Sequence, residues 1–348
     1  MNVTESSVPS SILENCTGSC NFSMTEGDDV AETVHPVIVV LNYVNYVILP
    51  VFLVLGLTGN TLTILAMNTK RFANQTSRLF LTALSLSDSV LLLTQPFNKL
   101  FVINILGMDL RALTDVGCKA FFVIFKTAKM TSSWFVVFLC LERFVAVWFP
   151  MKLKSIFTRT VALVGIAVVY LVIGTYTSVW SYASQIVDGK VCHPDVYDKK
   201  DAYEVQRFGR FITTGLAIYS MIPIAILLVI TPMIIIKLVV RAKAMRKMTN
   251  KTNKKAETKT TAMLLGVMVA YILLIVPVTC LHMSAFVLRL NAFGRSSLGF
   301  MIFREVSQIL EQINYAINFF LYVLSSSSFR GALTDVVCFK AIAFFRRK

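Results

Sequence analysis

Charge and histidine are scarce in this chain. Charged residues make up 15% of its 348 residues, and histidine occurs three times. The histidines are scattered, so no His or Cys/His set has metal-ligand spacing. No glycine-rich phosphate loop and no nucleophile–base pair are found. That leaves no catalytic constellation, so the chain is expected not to be an enzyme and to need no cofactor. Basic residues are missing from the whole first stretch, and the earliest is Lys70. No apolar core follows Met1, so no cleavable signal peptide is expected and the first apolar segment must serve as the insertion signal. Also missing is an internal repeat of broken apolar segments, which counts against a transporter.

Apolar residues are what the chain has in plenty: 56% of it, against about 45–50% in soluble domains. They gather in seven segments near 40–67, 77–101, 116–148, 160–182, 209–240, 258–288 and 299–324. A membrane span needs ~20 mostly apolar residues. Basic clusters follow the first, third, fifth and seventh segments, the alternation of the positive-inside rule. The expected fold is an all-α integral membrane protein: a seven-transmembrane helix bundle, N-terminus outside, ending in a short amphipathic helix. Its expected parts are an outer N-terminal segment 1–36, the bundle 37–325, and the amphipathic helix with a short tail 326–348.

The net charge of +15 invites a nucleic-acid reading, but the topology redirects it. On this assignment the basic excess faces the anionic inner leaflet, where each basic residue gains ~1 kcal/mol near the surface. Membrane lipids are therefore the expected partner of this charge, and nucleic acid is not.

Three sequons open the chain, at Asn2, Asn15 and Asn21, on the side expected to be external. Of seven cysteines, Cys16, Cys20, Cys118 and Cys192 fall on that oxidising side. A bridge between Cys118, opening the third span, and Cys192, in the loop after the fourth, would pin that loop over the bundle. Cys16 and Cys20 either pair with each other or stay free. Cys338, beyond the seventh span, is a candidate for palmitoylation or an ordinary thiol.

Several short motifs fall in order along the spans. Gly59-Asn60 lies in the first and Leu84-Ser85-Leu86-Ser87-Asp88 in the second. Cys118 opens the third, and Glu142-Arg143-Phe144 closes it, the arginine twenty-five residues on. Pro223 lies in the fifth, Pro277 in the sixth, and Asn314 with Asn318-Phe319-Phe320-Leu321-Tyr322 in the seventh. This order and spacing resembles a rhodopsin-like (class A) G-protein-coupled receptor over roughly residues 40–340. Departures from the family pattern are Glu142-Arg143-Phe144 for Asp-Arg-Tyr, Ile275 where a tryptophan precedes the sixth-span proline, and Phe319 for the seventh-span proline.

The resemblance implies roles. Asp88, with Ser132, Asn314 and Asn318, would form a site for sodium, a hard cation that prefers oxygen ligands. Arg143, with Glu142 its sequence neighbour, would pair across to Glu257 on the sixth span, and Tyr322 would join the activation switch. Phe125 stands where amine receptors carry an Asp, and Gln312 where opsins carry the retinal-binding Lys, so neither class fits. Lys126 and Lys129 lie ~12 and ~16 Å below Cys118 at 1.5 Å per residue. Glu311 lies at similar depth, and His282 and Gln312 line the same region. Either a lysine pairs with Glu311 and closes the pocket, or these charges read groups on a ligand.

The loop 184–193 reads as strand, Asp188-Gly189 turn, strand. Peptide receptors of the family carry such a hairpin. The expected function is thus a plasma-membrane, multi-pass receptor for an extracellular peptide, activating a heterotrimeric G protein through movement of the sixth helix. The rivals are a chemosensory receptor for small amphoteric molecules, a non-signalling decoy, and a transporter.

Overall fold

The computed structural model describes residues 36–98, 101–187, 190–194, 202–245, 254–287 and 297–345. Long helices dominate: α1 (Pro36–Met67), α2 (Ser77–Asn98), α3 (Asp115–Trp148) and α4 (Arg159–Thr177). α5 joins Ala202–Leu216, a π turn at Ala217–Met221, and Ile222–Met245. α6 (Lys254–Val287), α7 (Leu298–Ser325) and α8 (Ser327–Phe345) complete the order. A two-stranded antiparallel hairpin, β1 (Ser184–Val187) and β2 (Val191–Pro194), lies between α4 and α5, with Ile186 opposite Cys192.

The helix ends follow their local chemistry. Thr114 caps α3 by accepting from the Gly117 N–H, and Thr158 caps α4 by accepting from Val161 N–H. Pro150 opens a short helix, Pro150–Ile156, at the position where its missing N–H costs nothing.

Among the described residues six helices, α1 to α6, are long and apolar enough to cross a membrane. α7 falls short of that measure, and its buried residues explain why. Arg304, Ser307, Glu311, Gln312, Asn314 and Asn318 are all turned inward, so its polarity serves the bundle interior. α7 packs on α1 and α6 and closes the seven-helix bundle. α3 is the central rod, touching α2, α4, α5 and α6. Its apolar window is 67% buried, against 17% for α4, which shows most of its surface to lipid.

Close approach needs small residues. A Cβ on Gly59 would lie 2.8 Å from the Cβ of Phe319, so glycine lets α1 meet α7 where that phenylalanine stands. Phe329 anchors α8 beneath the bundle, its ring 5.4 Å from Tyr322 and 5.9 Å from Phe319. Arg330 Nη1 donates to Val323 O at 2.7 Å, satisfying a carbonyl in the last turn of α7. Arg71, after α1, pairs with Asp335 of α8 at 2.6 Å on the surface.

The N-terminal sequons Asn2, Asn15 and Asn21, with Cys16 and Cys20, lie outside the described residues. So does the Asp188-Gly189 turn. Glu257 and Cys338 are placed on α6 and α8, with their side chains outside the described set.

Candidate functional site

The polar residues of the bundle fall into layers. At the outermost, Cys118 of α3 and Cys192 of β2 form a disulfide with Cα atoms 5.6 Å apart. A second clasp sits beside it. Asp109 accepts two bonds from the Arg111 guanidinium, Nε and Nη2 each at 2.9 Å, and one from the Cys192 N–H, also at 2.9 Å. The Arg111 guanidinium lies 5.1 Å from the Phe121 ring centre and 5.9 Å from that of Phe122. Both charges are nearly buried, and the bidentate geometry is the one that compensates desolvation best. The short connection before α3 thus grips the same strand as the disulfide.

Below lies a charged layer. Lys129 Nζ reaches Glu311 Oε1 at 2.6 Å, joining α3 to α7. The same oxygen accepts from the Tyr315 hydroxyl at 3.0 Å and from the Tyr219 hydroxyl. Lys129 also sits 4.5 Å from the Tyr219 ring centre. Tyr219 arrives from α5 through its π turn, a device that re-aims side chains at functional sites. The extra residue frees the carbonyl of Ile218, which accepts from Trp134 Nε1 at 3.1 Å. Three helices therefore converge on one carboxylate oxygen.

Lys126 takes another direction. Its ammonium lies 4.5 Å from the Trp180 ring centre and 5.7 Å from that of Phe125. Phe125 is buried and stacks on Phe121 at 6.0 Å. His282 Nδ1 turns to Val278 O of its own helix at 2.6 Å. Gln312 is buried with its Nε2 unpartnered.

The third layer holds Asp88, fully buried. Ser132 Oγ donates to one carboxylate oxygen at 2.6 Å and Asn318 Nδ2 to the other at 2.8 Å. Asn314 is buried one turn earlier on α7 and makes no hydrogen bond to Asp88. Ser85 Oγ, one turn before Asp88, and Asn60 Oδ1 are buried oxygens without partners. A buried carboxylate met only by a neutral hydroxyl and a neutral amide is the kind of oxygen donor that suits a small hard cation such as sodium. When bound, the ion would supply the positive charge that Asp88 lacks.

The layer at the far end is built on Arg143. Its guanidinium meets Glu142 Oε1 at 3.1 Å and Ser77 Oγ, at the start of α2, at 3.5 Å. Among the described residues it has no carboxylate partner on α6. Tyr322 is buried with its hydroxyl unpartnered.

The structure thus brings together Lys129 with Glu311, Asp88 with Ser132 and Asn318, and Arg143 with Glu142. It separates Lys126 from Glu311. It also adds Tyr219, Tyr315, Trp180, Asp109 and Arg111. Tyr315 was open to finding, because it lies four residues after Glu311 on the same helix face. Tyr219 was not, because a π turn shifts the phase of the helix.

A bundle of this order, bridged at one end and closed by an arginine at the other, has the architecture of a heptahelical membrane receptor. The family model of the 7 transmembrane receptor (rhodopsin family) matches residues 59–327, and the chain belongs to that family. It is therefore a multi-pass membrane receptor and not an enzyme. Curated relatives include a probable G-protein coupled receptor of Caenorhabditis elegans, 23% identical over 84% of this chain and 69% of the relative. Growth hormone secretagogue receptor type 1 of Mustela putorius furo is 24% identical over 85% of this chain and 80% of its own length. The Mus musculus form gives the same figures.

Proposed function

We propose that the protein is a plasma-membrane receptor with its N-terminus outside, which binds an extracellular peptide and activates a heterotrimeric G protein. The observation that carries the reading is the double clasp on β2. Disulfide and Asp109 together hold the hairpin at the rim of the bundle, above the charged layer of Lys126, Lys129 and Glu311. A hairpin fixed this way leaves a strand edge for an extended ligand. The basic residues after α1, α3 and α5 support the orientation. The relatives named as receptors for a growth hormone secretagogue support a ligand that acts as a hormone-releasing signal.

Ligand entering from the hairpin end would bias the Lys129–Glu311–Tyr219 cluster, and α5 and α6 would move apart from α3 at the Arg143 end. Glu257 on α6 remains a proposed partner of Arg143 in the resting state, and Tyr322 a proposed part of the switch. Asp88 with Ser132 and Asn318 would hold sodium in that state. Asn2, Asn15 and Asn21 are proposed glycosylation sites, and Cys338 a proposed acylation site.

The test is a G-protein dissociation screen in cells against secreted peptides and amphoteric small molecules, with Arg143→Ala alongside. A peptide that drives dissociation in wild type and not in Arg143→Ala supports the reading. Substrate-coupled currents with no G-protein response to any ligand would replace it with transport.

A further inference from the structure

We infer that the ligand presents a carboxylate, attached to an apolar or aromatic group, and that Lys126 is the residue that receives it. This deepens the receptor reading above and rests on it for the route of entry.

Charge does not balance among the described side chains of this layer. The layer holds two lysines, Lys126 and Lys129, and one carboxylate, Glu311. Glu311 Oε1 is committed to Lys129, Tyr219 and Tyr315. The other described acids of this half of the molecule are also taken. Asp109 is held by Arg111, Asp115 by Lys119, and Glu305 by Arg304. Lys126 therefore has no carboxylate among the described residues. His282, with Nδ1 turned to Val278 O, can add positive charge but no negative charge. Among the described residues the layer thus holds one more ammonium than carboxylate, and an ionisable side chain without a direct partner is costly within the membrane. An anion supplied from outside removes that cost.

The wall around Lys126 suits an apolar or aromatic carrier. Lys126 is only partly covered, and what covers it is aromatic: Trp180 at 4.5 Å and Phe125 at 5.7 Å. Trp180 in turn packs on Phe122 and Phe211. Ring faces stabilise the ammonium weakly and cannot neutralise it. They do offer apolar contact to whatever carries the anion. A free peptide C-terminus on an apolar residue has this chemistry, and so does a small organic acid.

The experiment uses the full-length receptor, purified in lipid nanodiscs and expressed in cells. The small-acid probe is N-acetyl-phenylalanine against its C-terminal amide. The peptide probe is a pool of short peptides ending in phenylalanine, each made as free acid and as amide. Binding is read as thermal stabilisation and signalling as G-protein dissociation. On wild type the acid forms are expected to be more potent than the amides by roughly tenfold or more. Lys126→Met should erase the difference and Lys126→Arg should keep it, each checked for expression and melting. Equal potency of acid and amide on wild type overturns the inference, as does an acid preference that survives Lys126→Met. No stabilisation by either acid class also overturns it. Peptides that signal without acid preference would sink this inference and leave the receptor reading standing. Acids that stabilise the protein while nothing signals would do the reverse. Preference confined to one arm identifies the source of the carboxylate.

Discussion

Asp88 and Glu311 are two buried carboxylates held in opposite ways. Neutral groups alone meet Asp88: a serine hydroxyl and an asparagine amide. Glu311 meets a lysine and two phenols on the same oxygen. In a low-dielectric interior this difference decides what each can do. Glu311 is compensated in the protein as it stands, so it ties α3, α5 and α7 together. Asp88 lacks a protein cation, so its layer is open to an ion or a proton. The upper carboxylate is suited to holding helices and the lower one to responding to solution.

The largest effect should come from unpairing Glu311. Glu311→Gln or Lys129→Met alone leaves one charge buried without its partner, which costs about 3–5 kcal/mol. Melting of the purified receptor and surface expression should both fall. The double variant should recover most of the loss. If it melts as low as the worse single variant, the pair is not what holds these helices.

Next is the outer clasp, a third acid of the Glu311 kind. Asp109→Ala leaves Arg111 and the Cys192 N–H without their acceptor, and a buried group left unsatisfied costs about 1–3 kcal/mol. Melting should drop by that amount with the disulfide intact. Unchanged melting would reduce the clasp to an incidental contact.

Asp88 should behave differently. Wild type should gain thermal stability as sodium replaces choline, by about 1.4 kcal/mol at tenfold excess over Kd. Asp88→Asn should show a flat response. A sodium response that persists in that variant would move the ion elsewhere.

The smallest effect belongs to Arg71 and Asp335, the surface pair. The Arg71 guanidinium, by its hydrogen bond first, holds the Asp335 carboxyl below its usual range. A depressed carboxyl contributes stability above its ordinary range and loses it as pH falls through the depressed value. Both side chains are about half exposed to solvent, so screening should hide the effect. Asp335→Asn should leave neutral-pH melting unchanged in high salt. A large loss there would mean that α8 is docked by charge, against the packing of Phe329.

The spans and their order were legible because hydropathy and charge alternation both report topology. Their ends were less so. The first span, read from 40, begins as a helix at Pro36, while the fourth, read as 160–182, runs Arg159–Ala183 with a break in its helix at Ser178. Lys126 and Lys129 stand three residues apart on α3. Three residues leave ~60° between two side chains, enough to send one to α7 and the other to Trp180. Periodicity gives a face but not which neighbour it meets. The Asp109–Arg111 clasp was hidden for a related reason. It is local in sequence, but its meaning comes from Cys192, far along the chain.

The polarity of α7 has a consequence for biogenesis. A segment carrying Arg304, Glu305 and Glu311 is a poor substrate for solitary partitioning into lipid. Its entry should depend on earlier rods already assembled around a waiting vacancy. A glycosylation reporter placed after Ser325 would then report correct topology in the full chain and misplacement when α1 to α3 are deleted. Correct topology in both would mean that this segment inserts unaided.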